Sequence, residues 1–184
     1  MKKRRLTQRQ RHASRTLGAS PARDVVANYS MKKKESHIKF LVRYYSEVLE
    51  KVIVETLWAR EVNKEKGIYK VDSIPFYGPP FASDDLIEVK YDQDEKMLTF
   101  KEIVEYSGNS IIQVVLMNEG NEIEELREVF KSRGCISEKV NDRFFSMEIP
   151  SDKSYLEIKV MLDELKREGV IDYAEPVLSI NHRK

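Results

Sequence analysis

Apolar and polar side chains alternate along most of the chain from residue 37 to residue 117. A period of two residues is typical of strands that bury one face, and it predicts strands at residues 37–45, 52–62, 68–74, 86–91, 97–106 and 111–117. Turn-forming runs at residues 63–67 and 92–95 separate neighbouring strands. The pattern therefore predicts a small antiparallel curled sheet or half-barrel within residues 35–110.

The period changes to that of a helix in the last third of the chain. Helices are predicted at residues 121–133 and 154–165, with Asn121/Glu124 and Ser154/Glu157 as capping boxes and with Gly134 and Gly169 as helix ends. Strands at residues 135–139, 143–149 and 170–178 complete the order βαββαβ. We expect an α+β fold in which residues 111–184 are ferredoxin-like, either as a separate part or within one compact unit with the barrel.

The formal charge of +1 conceals two opposite pieces. Residues 1–34 hold 11 of the 32 Lys and Arg residues and one of the 31 acids, which leaves 21 basic and 30 acidic side chains and a charge of −9 on the remainder. The first piece has no sustained apolar period, so we expect it to be a disordered basic tail. It is interpreted as an N-terminal extension, an inert tail or an arm that binds nucleic acid. The residues of that arm would be Lys2, Lys3, Arg4, Arg5, Arg9, Arg11 and Arg15.

The chemistry-bearing residues are sparse. His12, His37 and His182 are far apart in the sequence and are expected to be exposed, no Gly-rich phosphate loop is present, and Cys135 is the only cysteine. We therefore expect a protein that is not an enzyme and has no catalytic residues, cofactor or metal. Cys135 is interpreted as a buried small side chain. The single cysteine excludes an internal disulfide, and no apolar run approaches the length of a membrane span, so a cytoplasmic location without membrane contact is expected.

A Pro-rich loop at residues 75–81 carries the candidate partner-binding aromatics. These are Phe76, Tyr77 and Phe81, and the candidate acidic contacts beside them are Asp84, Asp85, Asp92, Asp94 and Glu95. The alternative is that the aromatics turn inward and plug the end of the sheet. Trp58 on the second predicted strand is interpreted as a core residue, with an interface anchor as the alternative. The segment SGNS at residues 107–110 is interpreted as a turn, with an anion contact as the alternative.

Several motifs resemble those of the bacterial domain of unknown function family 4265. They are VETLWA at residues 54–59, Tyr69, IPFY at 74–77, DDLIEV at 84–89 and SGNS at 107–110. The resemblance covers about residues 37–178 and leaves out the basic tail. It implies a bacterial cytoplasmic protein in a family without an assigned activity, and it supplies no catalytic residues.

Charge and composition favour a binding function over catalysis. An acidic body suits docking against a basic surface, so the first hypothesis is a protein that acts by occlusion, as a bacterial immunity protein does when it neutralises a basic toxin domain. A nucleic-acid- or ribosome-associated protein that uses the tail is the alternative. A further alternative is a small-molecule-sensing regulatory domain, because ferredoxin-like halves often bind ligands between subunits.

Overall fold

The computed structural model describes residues 36–46, 50–77, 79–118 and 123–183, all within a compact unit that runs from Lys34 to Lys184. The candidate nucleic-acid arm lies outside the described residues. In chain order the elements are β1 (His37–Ser46), β2 (Lys51–Asn63), β3 (Ile68–Val71), β4 (Leu86–Asp92), β5 (Met97–Glu105), β6 (Ser110–Leu116), α1 (Ile123–Lys131), β7 (Ile136–Asn141), β8 (Phe144–Ile149), α2 (Tyr155–Arg167), β9 (Ile171–Val177) and a 3₁₀ turn (Ile180–His182). The part of the chain that is described thus has the predicted α+β order.

Strands β1 to β5 form a closed barrel in which consecutive strands pair antiparallel. Because an odd number of alternating strands leaves the first and last pointing the same way, the closing pair β1–β5 is parallel. The pairing of β1 with β5 is short: Phe40 lies opposite Leu98, and Leu41 lies opposite Thr99. The predicted curled sheet or half-barrel is therefore a complete barrel, since the strand twist brings the two free edges within hydrogen-bonding distance.

The barrel interior follows the predicted alternation on β1 and β2, but the assignment of Trp58 to the core is wrong. Phe40 and Val42 of β1 are buried, as are Leu57 and Ala59 of β2. Trp58 lies between the latter two, so the period of two residues directs it outward, where 47% of its surface is exposed. The apolar character of tryptophan favours a core position, but its place in the strand directs the side chain outward.

The second half is the ferredoxin-like arrangement that the sequence predicts. Its sheet has the order β7-β8-β6-β9 with every neighbouring pair antiparallel. In each βαβ unit the two strands lie on either side of a third strand, which is the split arrangement of this fold. Both helices pack against one face through a core that includes Ile112, Val114, Phe145, Met147, Ile158 and Leu162.

Glycines end both helices where the sequence places them, but one predicted cap is absent. Gly134 and Gly169 have φ of 87° and 70°, a left-handed conformation that glycine adopts without steric cost. Ser154 occupies the N-cap of α2, yet its side chain makes no capping hydrogen bond, so the second capping box is wrong in that respect. Asn121 of the first box lies outside the described residues.

Phe81 closes the end of the barrel. The chain between β3 and β4 folds back over the barrel, and the Phe81 ring is fully buried with its centroid 6.1 Å from that of Phe40 and 5.0 Å from that of Phe100. Phe81 is therefore a core residue, and its assignment to a partner-binding surface is wrong. Its size and apolar character suit the barrel interior better than water, as the alternative interpretation of the loop expects.

Replacing Phe81 tests how strongly this plug stabilises the barrel. We expect Phe81→Ala to lower the free energy of unfolding by about 3–5 kcal/mol, because the ring leaves a cavity that its neighbours cannot fill. Urea unfolding followed by circular dichroism measures the change. Tyr106→Ala is the control, since that side chain is 68% exposed and its loss should cost less than about 0.5 kcal/mol. Equal losses in the two variants would contradict the plug.

Candidate functional site

The loop between β3 and β4 lies across the helix-free face of the second sheet. Ile74 and Ala82 are buried against Ile111 of β6, and Val177 of β9 packs against the same cluster. The loop therefore joins the barrel to the sheet and covers part of a sheet face that carries no helix. This contact places residues 75–77 over the centre of the sheet.

Four hydrogen bonds hold the crest of this loop from both sides. On the barrel side, the Glu55 carboxylate accepts hydrogen bonds from the backbone N–H of Phe76 at 2.8 Å and of Tyr77 at 3.4 Å. From the sheet, Gln113 Nε2 donates to the Phe76 carbonyl at 2.7 Å and Ser146 Oγ donates to the Pro75 carbonyl at 2.6 Å. The loop is therefore fixed before any partner arrives.

Glu55 is a buried carboxylate that the sequence analysis placed on β2 without assigning it a role. Burial raises its pKa above the ordinary value, and the two N–H groups that it accepts from oppose that rise. The period of β2 already directs Glu55 inward with Leu57 and Ala59. An acid at an inward strand position indicates a buried carboxylate, and a buried carboxylate needs hydrogen-bond donors inside the protein.

Beyond the crest, an apolar surface remains open to solvent. Tyr77 is 41% exposed, and its ring lies 6.3 Å from Phe144 of β8 and 6.4 Å from Phe76. Val115 of β6 pairs in register with Phe144 and is also exposed. We call Phe76, Tyr77, Val115 and Phe144 the Tyr77 surface. It contains two of the three predicted loop aromatics, while Val115 and Phe144 join it only through the tertiary fold.

The five candidate acids do not form one surface. Asp84 and Asp85 precede β4, whereas Asp92 is its last residue and Asp94 and Glu95 lie in the turn that follows. A strand of seven residues separates the two groups by roughly 20 Å. A partner would therefore meet them as two separate sites.

Most of these acids already have internal partners. Asp84 forms ion pairs with Lys70 at 2.8 Å and with Arg60 at 3.6 Å. Asp92 accepts hydrogen bonds from the backbone N–H of Glu95 and Asp94, which lower the pKa of Asp92. Glu95 is paired with Arg43, and Asp94 is exposed.

Asp85 is the acid whose assignment to a docking surface is wrong. It is buried, and its two carboxylate oxygens accept hydrogen bonds from the backbone N–H of Ala82 at 2.9 Å and of Ser107 at 2.6 Å. One side chain thus fixes the loop that covers the sheet and the segment that leads from the barrel into β6. The burial of Asp85 follows from this double contact, which no local sequence pattern shows.

The segment at residues 107–110 completes the same junction. Ser107 Oγ donates to the Ser83 carbonyl and accepts from the Asn109 N–H, while the Asn109 side chain donates to the Ser83 carbonyl and accepts from the Ser151 N–H. The turn interpretation is therefore confirmed. The alternative of an anion contact is wrong for Ser107 and Asn109, because their donors already serve the protein itself.

His182 is buried, contrary to the expectation of three exposed histidines. Its Nδ1 lies 2.7 Å from Ser110 Oγ, which also accepts from the Ser179 N–H, and its ring stacks on Tyr155 with centroids 5.8 Å apart. Burial lowers the pKa of His182. The pair holds the end of the described chain against the start of β6, and the fully buried Ser110 is not accessible to a substrate.

The remaining chemistry-bearing residues are committed to packing or to the surface. Cys135 is buried in the helix-side core, and burial together with the nearby Glu148 raises its pKa to about 11. His37 lies 3.1 Å from Asp72 at the surface, and His12 is outside the described residues. Among residues that the structure describes, no group of three His, Cys, Asp or Glu side chains is placed to hold a metal ion. Within those same ranges, no helix is both long and apolar enough to span a membrane.

Glu148 is a third buried carboxylate, and it lies on the helix-free face of the second sheet, opposite Ile111. Its Oε2 is buried without a hydrogen-bond partner among the described residues. Burial is the main cause that raises its pKa to about 7, and the carboxylates of Asp84 and Asp85 add to the effect. The strand pattern gives no sign of this burial, because Glu148 alternates with Met147 and Ile149 as a solvent-facing polar residue would.

Removing the Asp85 carboxylate tests the junction. We expect Asp85→Ala to lower the free energy of unfolding by about 2–4 kcal/mol, because it leaves two buried N–H groups without acceptors. Urea unfolding measures the loss. Asp94→Ala provides the matched acid on the surface and should change the free energy by less than about 0.5 kcal/mol. Similar behaviour of the two variants would contradict the structural role of Asp85.

Glu148 should make stability depend on pH. Its pKa in the folded state lies above the ordinary value of 4.5, so ionisation favours unfolding, and the penalty grows as pH rises from about 4.5 to about 7. We expect Glu148→Gln to stabilise the protein at pH 8 by roughly 3 kcal/mol relative to its effect at pH 4, since each pKa unit corresponds to about 1.4 kcal/mol. Urea unfolding at the two pH values measures the difference. The exposed Glu157→Gln is the control, and a Glu148→Gln effect of equal size at both pH values would refute the interpretation.

Comparison with known proteins identifies the family and the fold. The structure is similar to a crystal structure of a hypothetical protein from Neisseria gonorrhoeae, with a TM-score of 0.67 and 22% sequence identity over 77% of this chain and 95% of that chain. No curated protein matches the chain. The family model described as a domain of unknown function, DUF4265, matches residues 55–173, which include four of the five motifs in full and all but the first residue of VETLWA. The chain therefore belongs to the DUF4265 family.

Proposed function

We propose that this protein binds another protein and acts by occlusion, without catalysing a reaction, and that it is a bacterial immunity protein that neutralises a toxin in the cytoplasm. The observation that carries the proposal is the Tyr77 surface. It presents an exposed tyrosine on a loop fixed by Glu55, Gln113 and Ser146. An aromatic side chain on a preorganised loop loses little conformational entropy on binding and is a frequent interface anchor.

Charge supports a basic partner. The chain after residue 34 carries a formal charge of −9, which accelerates the encounter with a cationic protein and selects for it. Because the candidate acids are divided between the two ends of β4, this contribution is a long-range field and not a local acidic patch. Affinity would come mainly from the Tyr77 surface.

The commitment of the reactive side chains to packing supports a function without a catalytic step. The Cys135 thiol is buried with a raised pKa, and the Ser110–His182 pair is enclosed at the end of the sheet. All three side chains are buried, so they are not accessible to a substrate. Occlusion requires only a binding surface, and the Tyr77 surface is the candidate for it.

Growth measurements test the proposal. The protein is co-expressed with each product of the genes next to its own, and the proposal predicts that one of them is toxic and that wild type restores growth. Tyr77→Ala should weaken binding of that toxin by about 30-fold, the loss typical of an interface anchor, while Tyr106→Ala should leave it unchanged. Isothermal titration calorimetry measures both affinities. Absence of any toxic neighbour whose effect is relieved would contradict the immunity function, and equal affinities for the two variants would contradict the Tyr77 surface.

A further inference from the structure

The outward-facing side of the β1–β2 hairpin differs in charge from the rest of the folded unit. Its positions are His37, Lys39, Leu41, Arg43 and Tyr45 on β1, and Val52, Val54, Thr56, Trp58 and Arg60 on β2. None of these ten described residues is acidic, although acids outnumber bases 30 to 21 after residue 34. We call this set the β1–β2 outer face.

Two exposed aromatic rings lie near opposite ends of this face. Trp58 is 47% exposed and Tyr45 is 60% exposed. Trp58 pairs in register with Lys39, six residues before Tyr45, so strand geometry separates the two rings by roughly 20 Å. The exposed Val52 and Val54 continue the apolar surface between them.

The cations of the face are arranged around these rings. Lys39 Nζ lies 4.7 Å from the centroid of the Trp58 ring, and Lys39 forms no ion pair with another described residue. His37, Arg43 and Arg60 are each paired with a carboxylate that borders the face. Glu95 and Asp72 therefore mark its two limits.

We propose that the β1–β2 outer face binds single-stranded nucleic acid. Exposed aromatic rings stack on unpaired bases of any sequence, and neighbouring Lys and Arg side chains neutralise the phosphates, which is the combination that single-strand-binding barrels use. Trp58 and Tyr45 take the bases, and Lys39 and Arg43 contact the backbone. The 11 basic residues of segment 1–34 directly precede β1 in the sequence and add to the attraction for phosphates.

This site is separate from the Tyr77 surface. Glu55, which holds the Tyr77 loop, is on the inner side of β2, and Trp58 is on the outer side of the same strand. The nucleic-acid site therefore does not depend on the proposed immunity function. Substitutions at one surface should leave binding at the other unchanged.

Trp58 provides a specific readout, because it is the only tryptophan in the chain. The full chain is titrated with a fluorescein-labelled oligothymidylate of about 20 nucleotides, longer than the site of a single barrel. Anisotropy of the label measures total binding, and an unlabelled oligonucleotide is used to follow Trp58 fluorescence. We expect saturable quenching of Trp58 with the same midpoint as the anisotropy change, and weaker binding at higher salt.

Matched variants separate stacking from charge. Tyr45→Ala should weaken binding about tenfold, and Tyr106→Ala, which removes an exposed tyrosine from outside the face, should not. Lys39→Gln should reduce the slope of log affinity against log salt by about 0.7, the value for one lost phosphate contact on a single strand.

Three results would overturn the proposal. Anisotropy that saturates without quenching of Trp58 would show that the oligonucleotide binds elsewhere. Equal quenching by poly-glutamate would assign the face to acidic polypeptides. Tyr45→Ala with wild-type affinity would exclude stacking across the face.

Discussion

The buried carboxylate of Asp85 fixes how the barrel meets the ferredoxin-like sheet. One oxygen holds the end of the β3–β4 loop through Ala82, and the other holds the segment that enters β6 through Ser107. Because both acceptors belong to one rigid side chain, the two backbone segments cannot move independently. The remaining contacts of the junction depend on this alignment, including the packing of Ile74 against Ile111 and the bond from Ser146 to the loop.

This constraint determines which surfaces remain available. A ferredoxin-like sheet with helices on one side leaves its other face uncovered, and here the loop covers the centre of that face and exposes Tyr77 at the margin of the covered area. Strand β2 contributes to two surfaces at once, because alternate residues point to opposite sides. Glu55 on the inner side holds the Tyr77 loop, and Trp58 on the outer side belongs to the β1–β2 outer face. The two proposed binding surfaces are therefore separate.

Residues with local partners were predicted well, and residues with distant partners were not. The strands and helices follow the periods read from the sequence, and the order βαββαβ gives the observed sheet, because each period reflects a face that must be buried. By contrast, Phe81 and Asp85 were assigned to a docking surface and are buried, and His182 was expected to be exposed. Their partners are Phe40, Ser107 and Ser110, which are between 22 and 72 residues away in the sequence. No window of neighbouring residues contains such a contact.

The sequence by itself determined the elements, the ferredoxin-like half, the family motifs and the charge asymmetry, since all of these depend on residue type and spacing. Only the tertiary structure decided that the curled sheet closes, that Val115 and Phe144 join Tyr77, and that the acids beside β4 are divided. The physical reason is that residue type alone does not decide whether a particular aromatic or acidic side chain is buried. Whether it is buried depends on whether the fold supplies a cavity for its ring or hydrogen-bond partners for its charge. For the barrel and its junction, those partners are supplied by chain segments that meet only after folding.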